Sequence, residues 1–254
     1  MSKISYGLEN KVAIITGGSR GIGLEIARHL LNENAKVVIC ARKSEGLEEA
    51  VKAIGKNDRL HTIQAHIAKD DQVQKLFDQT LERFQAVDIL INNVGMNLIT
   101  PSIADTEPLL WQKIIDSNLN GTFLCSRKAA QTMQQNGSGK IVNITSIAAR
   151  KASPGMGIYG IAKAGIEMMT KVLASELAQF NIQVNAVAPG MVRTNFSKPF
   201  WSNEQIYQEI CKGIPAKRIA EPIDIVHPVL FFASQASNFV TGQTLCVDGG
   251  QTAI

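Results

Sequence analysis

The sequence predicts an α/β fold: a doubly wound parallel sheet of about seven strands with helices on both faces, in a single domain spanning residues 1–254. Three observations predict it. Apolar, strand-like runs alternate with helical stretches along the whole chain, the pattern of a parallel sheet covered on both sides. No linker, repeat or low-complexity segment interrupts the alternation. The first strand-like run passes through a glycine-rich turn directly into a helix. A length of 254 residues suits one domain with a substantial core.

Taken in order, the run 11–16 (Lys11-Val12-Ala13-Ile14-Ile15 and the threonine that follows) reads as a buried strand, because it is almost wholly apolar and largely β-branched. Thr16-Gly17-Gly18-Ser19-Arg20-Gly21-Ile22-Gly23 is the turn, and 20–33 reads as a helix. Strand-like runs follow at 36–40, 60–65, 87–91, 139–144, 182–187 and 244–247. Helical stretches lie between them, notably at 70–84, 108–134, 157–179 and 222–233. Right-handed crossovers then give a Rossmann-type sheet. The longest irregular stretch, about 190–220, carries Phe196, Pro199, Phe200, Trp201 and Pro215. A long loop with apolar anchors beyond a strand's C-terminal end reads as a substrate loop or lid.

Composition excludes several classes. Hydrophobic residues make up 45% and charged residues 19%, ordinary for a globular protein. The net charge is only +4 and no long basic run exists, so nucleic acid is not an expected partner. No apolar stretch approaches the ~20 residues that span a bilayer, and the N-terminus lacks a signal-peptide core; a cytoplasmic protein is expected. Cys40, Cys125, Cys211 and Cys246 are scattered without a C-x-x-C, and read as reduced, mostly buried thiols. The four histidines show no metal-ligand spacing, and no metal is expected.

Two constellations carry chemistry. Tyr159 and Lys163 stand four apart, so they share one helix face. Ser146 lies upstream, after the run Ile141-Val142-Asn143-Ile144. A phenol, an ammonium and a hydroxyl together can hand a proton to a carbonyl oxygen. A free phenol titrates near pH ~10, and a neighbouring cation is expected to lower that value and make Tyr159 a general acid or base. In the glycine turn, Gly17 allows a tight turn, Gly21 leaves room for a pyrophosphate, and Gly23 lets the helix pack closely. The helix N-terminus adds free N–H groups and the positive end of its dipole.

With Asn92-Asn93-Val94-Gly95, Asn118, Pro189-Gly190 and the ending Thr241-Gly242-Gln243 through Val247-Asp248-Gly249-Gly250, these residues resemble the compact short-chain dehydrogenases/reductases over nearly the whole chain. The resemblance implies a catalytic set of Asn118, Ser146, Tyr159 and Lys163. Tyr159 would protonate the carbonyl oxygen, Ser146 would bond the same oxygen, and Lys163 would hold the nicotinamide ribose. Asn118 would hold a water linking Lys163 to solvent. It also implies a dinucleotide held by Gly17, Ser19, Arg20, Gly21, Ile22, Gly23, Arg42, Lys43, Ile67, Asn93, Gly95, Tyr159, Lys163, Pro189, Gly190, Val192 and Thr194.

Cofactor choice is legible after the second strand. An acidic residue there, ~20 residues past the glycines, would bond a ribose diol. The sequence is instead Ala41-Arg42-Lys43. Those cations, with Arg20, suit a 2′-phosphate, so NADP(H) is expected. His66 stands where relatives often carry Asp or Asn beside the adenine, leaving the Ile67 backbone for that contact.

Met96, Leu98, Ala148, Pro154, Met156, Met191, Phe196, Phe200 and Trp201 are candidates for an apolar pocket taking a small-molecule carbonyl substrate. Two subfamilies compete. The overall pattern and Arg218-Ile219-Ala220-Glu221-Pro222 resemble 3-oxoacyl-carrier-protein reductases. Gln134-Gln135-Asn136-Gly137 and Ser175, however, lack the cations those enzymes present to an acidic carrier. The loop Thr194–Trp201 looks more like that of NADPH-dependent carbonyl reductases, which is the favoured reading. A nucleotide-binding protein without chemistry is a third, disfavoured by four filled catalytic positions. The resemblance further implies a homotetramer, and the apolar breadth of the helix carrying Tyr159 agrees with a second covered face.

Overall fold

A computed structural model describes residues 6–100, 102–152 and 155–253. Seven parallel strands form one sheet in the order β3-β2-β1-β4-β5-β6-β7. They are β1 (Val12–Thr16), β2 (Lys36–Ala41), β3 (Leu60–Gln64), β4 (Ile89–Asn92), β5 (Gly139–Ile144), β6 (Ile182–Pro189) and β7 (Thr244–Val247). Each lies within a few residues of its predicted run.

Side chains alternate across the pleat and so build two cores. Ala13, Ile15, Val37, Ile39, Ile89 and Ile91 point to one side. There they meet Ile26 and Leu30 of α1 (Gly21–Asn32), Leu47 of α2 (Ser44–Ile54) and Val229 of α9 (Pro222–Ala233). Ile14, Val38, Cys40, Leu90, Ile141 and Val184 point to the other. They pack on Leu76 and Phe77 of α3 (Asp70–Phe84), Cys125 and Met133 of α5 (Gly121–Asn136), and Leu177 of α6 (Gly157–Leu177). Burial on both faces explains why the strands read as continuous apolar runs.

The structure departs from the sequence reading in three places. The predicted helix 108–134 is broken: α4 (Pro108–Ile115) and α5 are joined by a π-helical turn, Asp116–Asn120. A π turn inserts an extra residue, a distortion that concentrates at functional sites, and here it holds Asn118. The second departure is α2. It starts directly after Lys43 and was not among the predicted helices; its apolar residues are few, and only Leu47 and Ala50 are buried. The third is the stretch 190–220, which contains α7 (Lys198–Trp201) and α8 (Glu204–Lys212) around a small core of Cys211, Ile214 and Ile219. Among the described residues no helix is long and apolar enough to cross a membrane.

Candidate active site

The strand order places β1 between β2 and β4, so the chain winds away from β1 in both directions. The crevice above that switch point is where ligands bind in such sheets. The glycine turn occupies it. Gly17 and Gly21 have φ of +66° and +57°, values that favour glycine. A methyl on Gly23 would sit 2.5 Å from both Asn93 Nδ2 and Gly17 O, so the third glycine answers to close packing.

Asn93 is the clasp of this turn. Its backbone N–H donates to Thr16 Oγ1 at 3.0 Å. Its side-chain amide donates to Thr16 O and Gly17 O, both at 3.1 Å. Arg20 precedes α1 in extended backbone and makes no side-chain cap. The first-turn N–H groups of α1 therefore keep their anion-binding capacity. Ile22 lies in that first turn and packs against the adjoining core.

At the other end of the crevice, Arg20, Arg42 and Lys43 are exposed. Ser19 lies against the start of α2, where a methyl on Gly46 would come 3.5 Å from Ser19 Oγ. Burial, then the charges of Arg42 and Lys69, lower the pKa of His66, which locates Arg42 beside it. Ile67 is buried and packs on Gly121, whose added methyl would meet Ile67 Cγ1 at 2.7 Å. Val192 is likewise buried, and its carbonyl accepts from Ser197 Oγ. These two residues can face a cofactor only through backbone.

After β6, the loop crosses beside β7. Pro189 ends β6, and the Gly190 N–H donates to Val247 O at 3.0 Å. A methyl on Gly190 would lie 3.1 Å from Asp248 Cα. Thr194 reaches back to the glycine turn, its Cγ2 3.3 Å from where a methyl on Gly21 would be.

The catalytic candidates converge where β4, β5 and α6 meet. Ser146 follows β5 and caps a short 3₁₀ turn, its Oγ accepting from Ala148 N–H at 3.1 Å. Tyr159, buried in the first turn of α6, lies near enough to Ser146 for that hydroxyl to favour its phenolate. One turn on, Lys163 is buried, and its Nζ donates to Ile144 O at 2.9 Å. That Nζ lies 5.5 Å from the Tyr159 ring centre. Asn118 donates to Met96 O and Ile114 O, both at 2.8 Å, and accepts from Met96 N–H at 3.2 Å. Gly95 stands between Lys163 and Asn118; a methyl on it would be 3.7 Å from Lys163 Nζ and 3.8 Å from Asn118 Oδ1.

One expectation is corrected. Proximity to Lys163 does not lower the Tyr159 pKa here. Burial pushes it up to about 12, and only the Ser146 hydroxyl pulls the other way. Burial also brings Lys163 down to about 8. Both shifts disfavour charge, as desolvation requires. At neutral pH the phenol therefore keeps its proton while the lysine remains a cation.

The pocket candidates separate. Phe196 is 49% exposed and tilts 39° against the Tyr159 ring at 6.4 Å. Ala148 and Met156 line a cavity of about 540 Å³ with Thr100, Ile103, Gly160 and Ile161. That cavity touches α6 at Gly157, Gly160, Ile161 and Ala164, a different face from Tyr159 and Lys163. Met191 and Trp201, expected as pocket walls, pack instead on the core of Cys211, Ile214 and Ile219. Phe200 is partly buried beside them in sequence, in α7, and Leu98 is exposed. Pro154 lies outside the described residues. Among the described residues no group of His, Cys, Asp or Glu could hold a metal ion.

Sequence reasoning passed over Thr16, whose hydroxyl also takes the Val94 N–H at 3.3 Å. It also passed over a buried polar chain beneath the site. Asn92 Nδ2 donates to Ser126 Oγ and Asn143 Oδ1, and Asn143 Nδ2 donates to Thr170 Oγ1, each at 2.9 Å. Asn143 and Thr170 tie the strand of Ser146 to the helix of Tyr159. Asparagines inside apolar strands were the available signal, since most buried polar groups are hydrogen-bonded, although Asn92 Oδ1 finds no partner here.

Comparison with known proteins agrees with this geometry. A family model described as enoyl-(acyl carrier protein) reductase matches residues 17–252. The human dehydrogenase/reductase SDR family member 4 is 33% identical over 244 residues, covering 96% of this chain and 88% of that protein. The 3-oxoacyl-[acyl-carrier-protein] reductase FabG of Staphylococcus epidermidis is 38% identical, covering 95% and 98%. Among solved structures, a gluconate 5-dehydrogenase from Burkholderia cenocepacia, in complex with NADP and tartrate, superposes with a TM-score of 0.91. It is 34% identical and covers 98% of each chain. ElxO with NADP bound gives 0.91 at 30% identity, covering 96% of this chain and all of its own. On motifs, strand order and these matches together, the chain belongs to the short-chain dehydrogenase/reductase family of oxidoreductases.

Proposed function

We propose that this protein is an NADPH-dependent reductase that converts the carbonyl of a ketone or aldehyde to an alcohol, with Tyr159 as general acid. The observation that carries the reading is the cluster of buried Tyr159 and Lys163 with half-buried Ser146, beside the uncapped N-terminus of α1. The residues present fit the cofactor. Gly17, Gly21 and Gly23 keep the crevice free of side chains. Arg42 and Lys43 stand where a carboxylate would repel a 2′-phosphate. Asn93, Gly95, Pro189, Gly190, Val192 and Thr194 line the way to the catalytic cluster. Relatives solved with NADP support the choice.

NADPH, when bound, supplies the hydride. The chain's own residues manage the proton and the charge. Tyr159, still protonated at neutral pH, gives its proton to the carbonyl oxygen as carbon accepts the hydride. Ser146 bonds that oxygen and stabilises the negative charge that develops on it. Lys163, buried with its Nζ 5.5 Å from the ring centre, is placed to hold the nicotinamide ribose. Asn118 fixes Met96 beside Lys163 and is placed to hold the water that restores the proton. Phe196 against Tyr159 supports an apolar substrate.

A second reading is reduction of a carrier-bound 3-oxoacyl thioester, favoured by the similarity to the staphylococcal enzyme. One pair of assays decides. Consumption of NADPH, followed by absorbance, is measured with a small diketone and with a 3-oxoacyl-carrier thioester. The diketone is expected to be the better substrate by kcat/KM. Preference for the thioester establishes the second reading, and no NADPH consumption with either establishes an inert nucleotide-binding protein.

A further inference from the structure

The segment after β6 contains a side-chain arrangement that the proposed chemistry does not use. Arg193 stands between two aromatic rings, its guanidinium carbon 5.0 Å from the Trp201 ring centre and 5.3 Å from that of Tyr207. Its Nε donates to Glu221 Oε1 at 2.8 Å, and its backbone N–H donates to Ala220 O at 2.8 Å. One residue therefore joins the loop leaving β6, the helices α7 and α8, and the N-cap of α9. A planar, delocalised cation is suited to this position: its faces stack on rings while its edge pairs with a carboxylate.

Trp201 extends the connection. Its indole N–H donates to Thr194 O at 3.2 Å and to Ser197 Oγ at 3.1 Å. Ser197 Oγ in turn donates to Val192 O. Between these anchors lie the two residues of the segment that face the site: Thr194 against Gly21, and Phe196 against Tyr159.

We propose that Arg193 is a positioning residue: stacked between Trp201 and Tyr207, it holds residues 194–201 over the catalytic cluster and so sets the apparent affinity for the carbonyl substrate. The inference rests on the reductase reading above. Arg193 touches no catalytic side chain, so its loss leaves the proton transfer itself intact. What changes is the fraction of molecules whose segment is in place, and apparent affinity falls in proportion to that fraction. The prediction is a split between KM and kcat that loss of folded protein does not produce, because fewer folded molecules lower kcat and leave KM alone.

The test uses the full chain with Trp111→Phe, so that fluorescence reports Trp201 alone. Arg193→Ala is expected to raise KM for a small diketone by ~10-fold with kcat within ~2-fold, and to make Trp201 more open to acrylamide quenching. Arg193→Lys, which keeps the charge and loses the flat stack, is expected to give intermediate values of both. An unchanged KM in Arg193→Ala, a fall in kcat at constant KM, or unchanged Trp201 quenching overturns the proposal. If the unsubstituted protein consumes no NADPH with any carbonyl, the reductase reading fails by itself; Trp201 quenching then still decides whether Arg193 holds the segment.

Discussion

At the scale of single residues, the site turns on two buried groups whose pKa values are driven apart by burial. Tyr159 rises to about 12 and Lys163 falls to about 8. Tyr159→Phe is expected to fold and bind NADPH while kcat falls by ~10²-fold or more, the scale of a lost general acid. A variant with near-normal kcat removes Tyr159 from its role. The pH profile follows from the same pair. Tyr159 holds its proton throughout the working range, so it does not limit reduction. Lys163 loses its charge as pH rises through about 8, and with it the cation placed to hold the nicotinamide ribose. Reduction is therefore expected to be level below that pH and to decline above it, in a kcat/KM titration. Cofactor preference is also decided by single side chains. Ala41→Asp is expected to move kcat/KM from NADPH towards NADH. Loss of one charge-assisted bond in Arg42→Ala is expected to cost about 1.5–3 kcal/mol of NADPH binding, read by calorimetry.

At the scale of elements, most of the fold was legible and part of the site was not. The five inner strands, buried on both faces, announce themselves as apolar runs, and the half-buried outer strands β3 and β7 were legible as well. The helix α2 was not, because it buries only Leu47 and Ala50 against the sheet. The π turn at Asp116–Asn120 was not, because its five residues, four of them polar, are too few to show a period of their own. The catalytic residues were legible because their spacing follows from a helix face. The division of the pocket aromatics was not, because it depends on how the segment folds back: Trp201 turns to Arg193 and Thr194 within the segment, while Phe196 turns to Tyr159, remote in sequence. The β1–turn–α1 unit makes its own prediction. Gly23→Ala puts a methyl 2.5 Å from Asn93 Nδ2 and the Gly17 carbonyl. Backbone cannot yield there, so overpacking of about 1–3 kcal/mol is expected. Thermal melts should show it, together with loss of NADPH binding.

At the scale of the whole molecule, apolar surface remains exposed among the described residues. Leu109 is 85% exposed on α4, and Phe123 on α5 is also exposed. Ile161, Met168 and Val172 form one exposed stripe of α6. Phe239 is fully exposed ahead of β7, and Leu245 is exposed within it, where an open edge strand invites a cover. We propose a homotetramer of closed symmetry, with a dimer as the simpler alternative, burying these faces against their own copies. Light scattering at micromolar concentration is expected to give a multiple of 27.5 kDa; the mass of one chain rejects it. The clasp at Asn93 has a consequence in time. It closes on Thr16 across 77 residues of chain, which a ribosome takes roughly 4–15 seconds to add at ~5–20 residues per second. For that interval β1 has emerged without its neighbour β4, its Val12–Ile15 edge open and its glycine turn unfastened. A nascent chain at that stage offers chaperones an apolar strand and an unfastened glycine turn, so cofactor capture cannot precede the synthesis of Asn93.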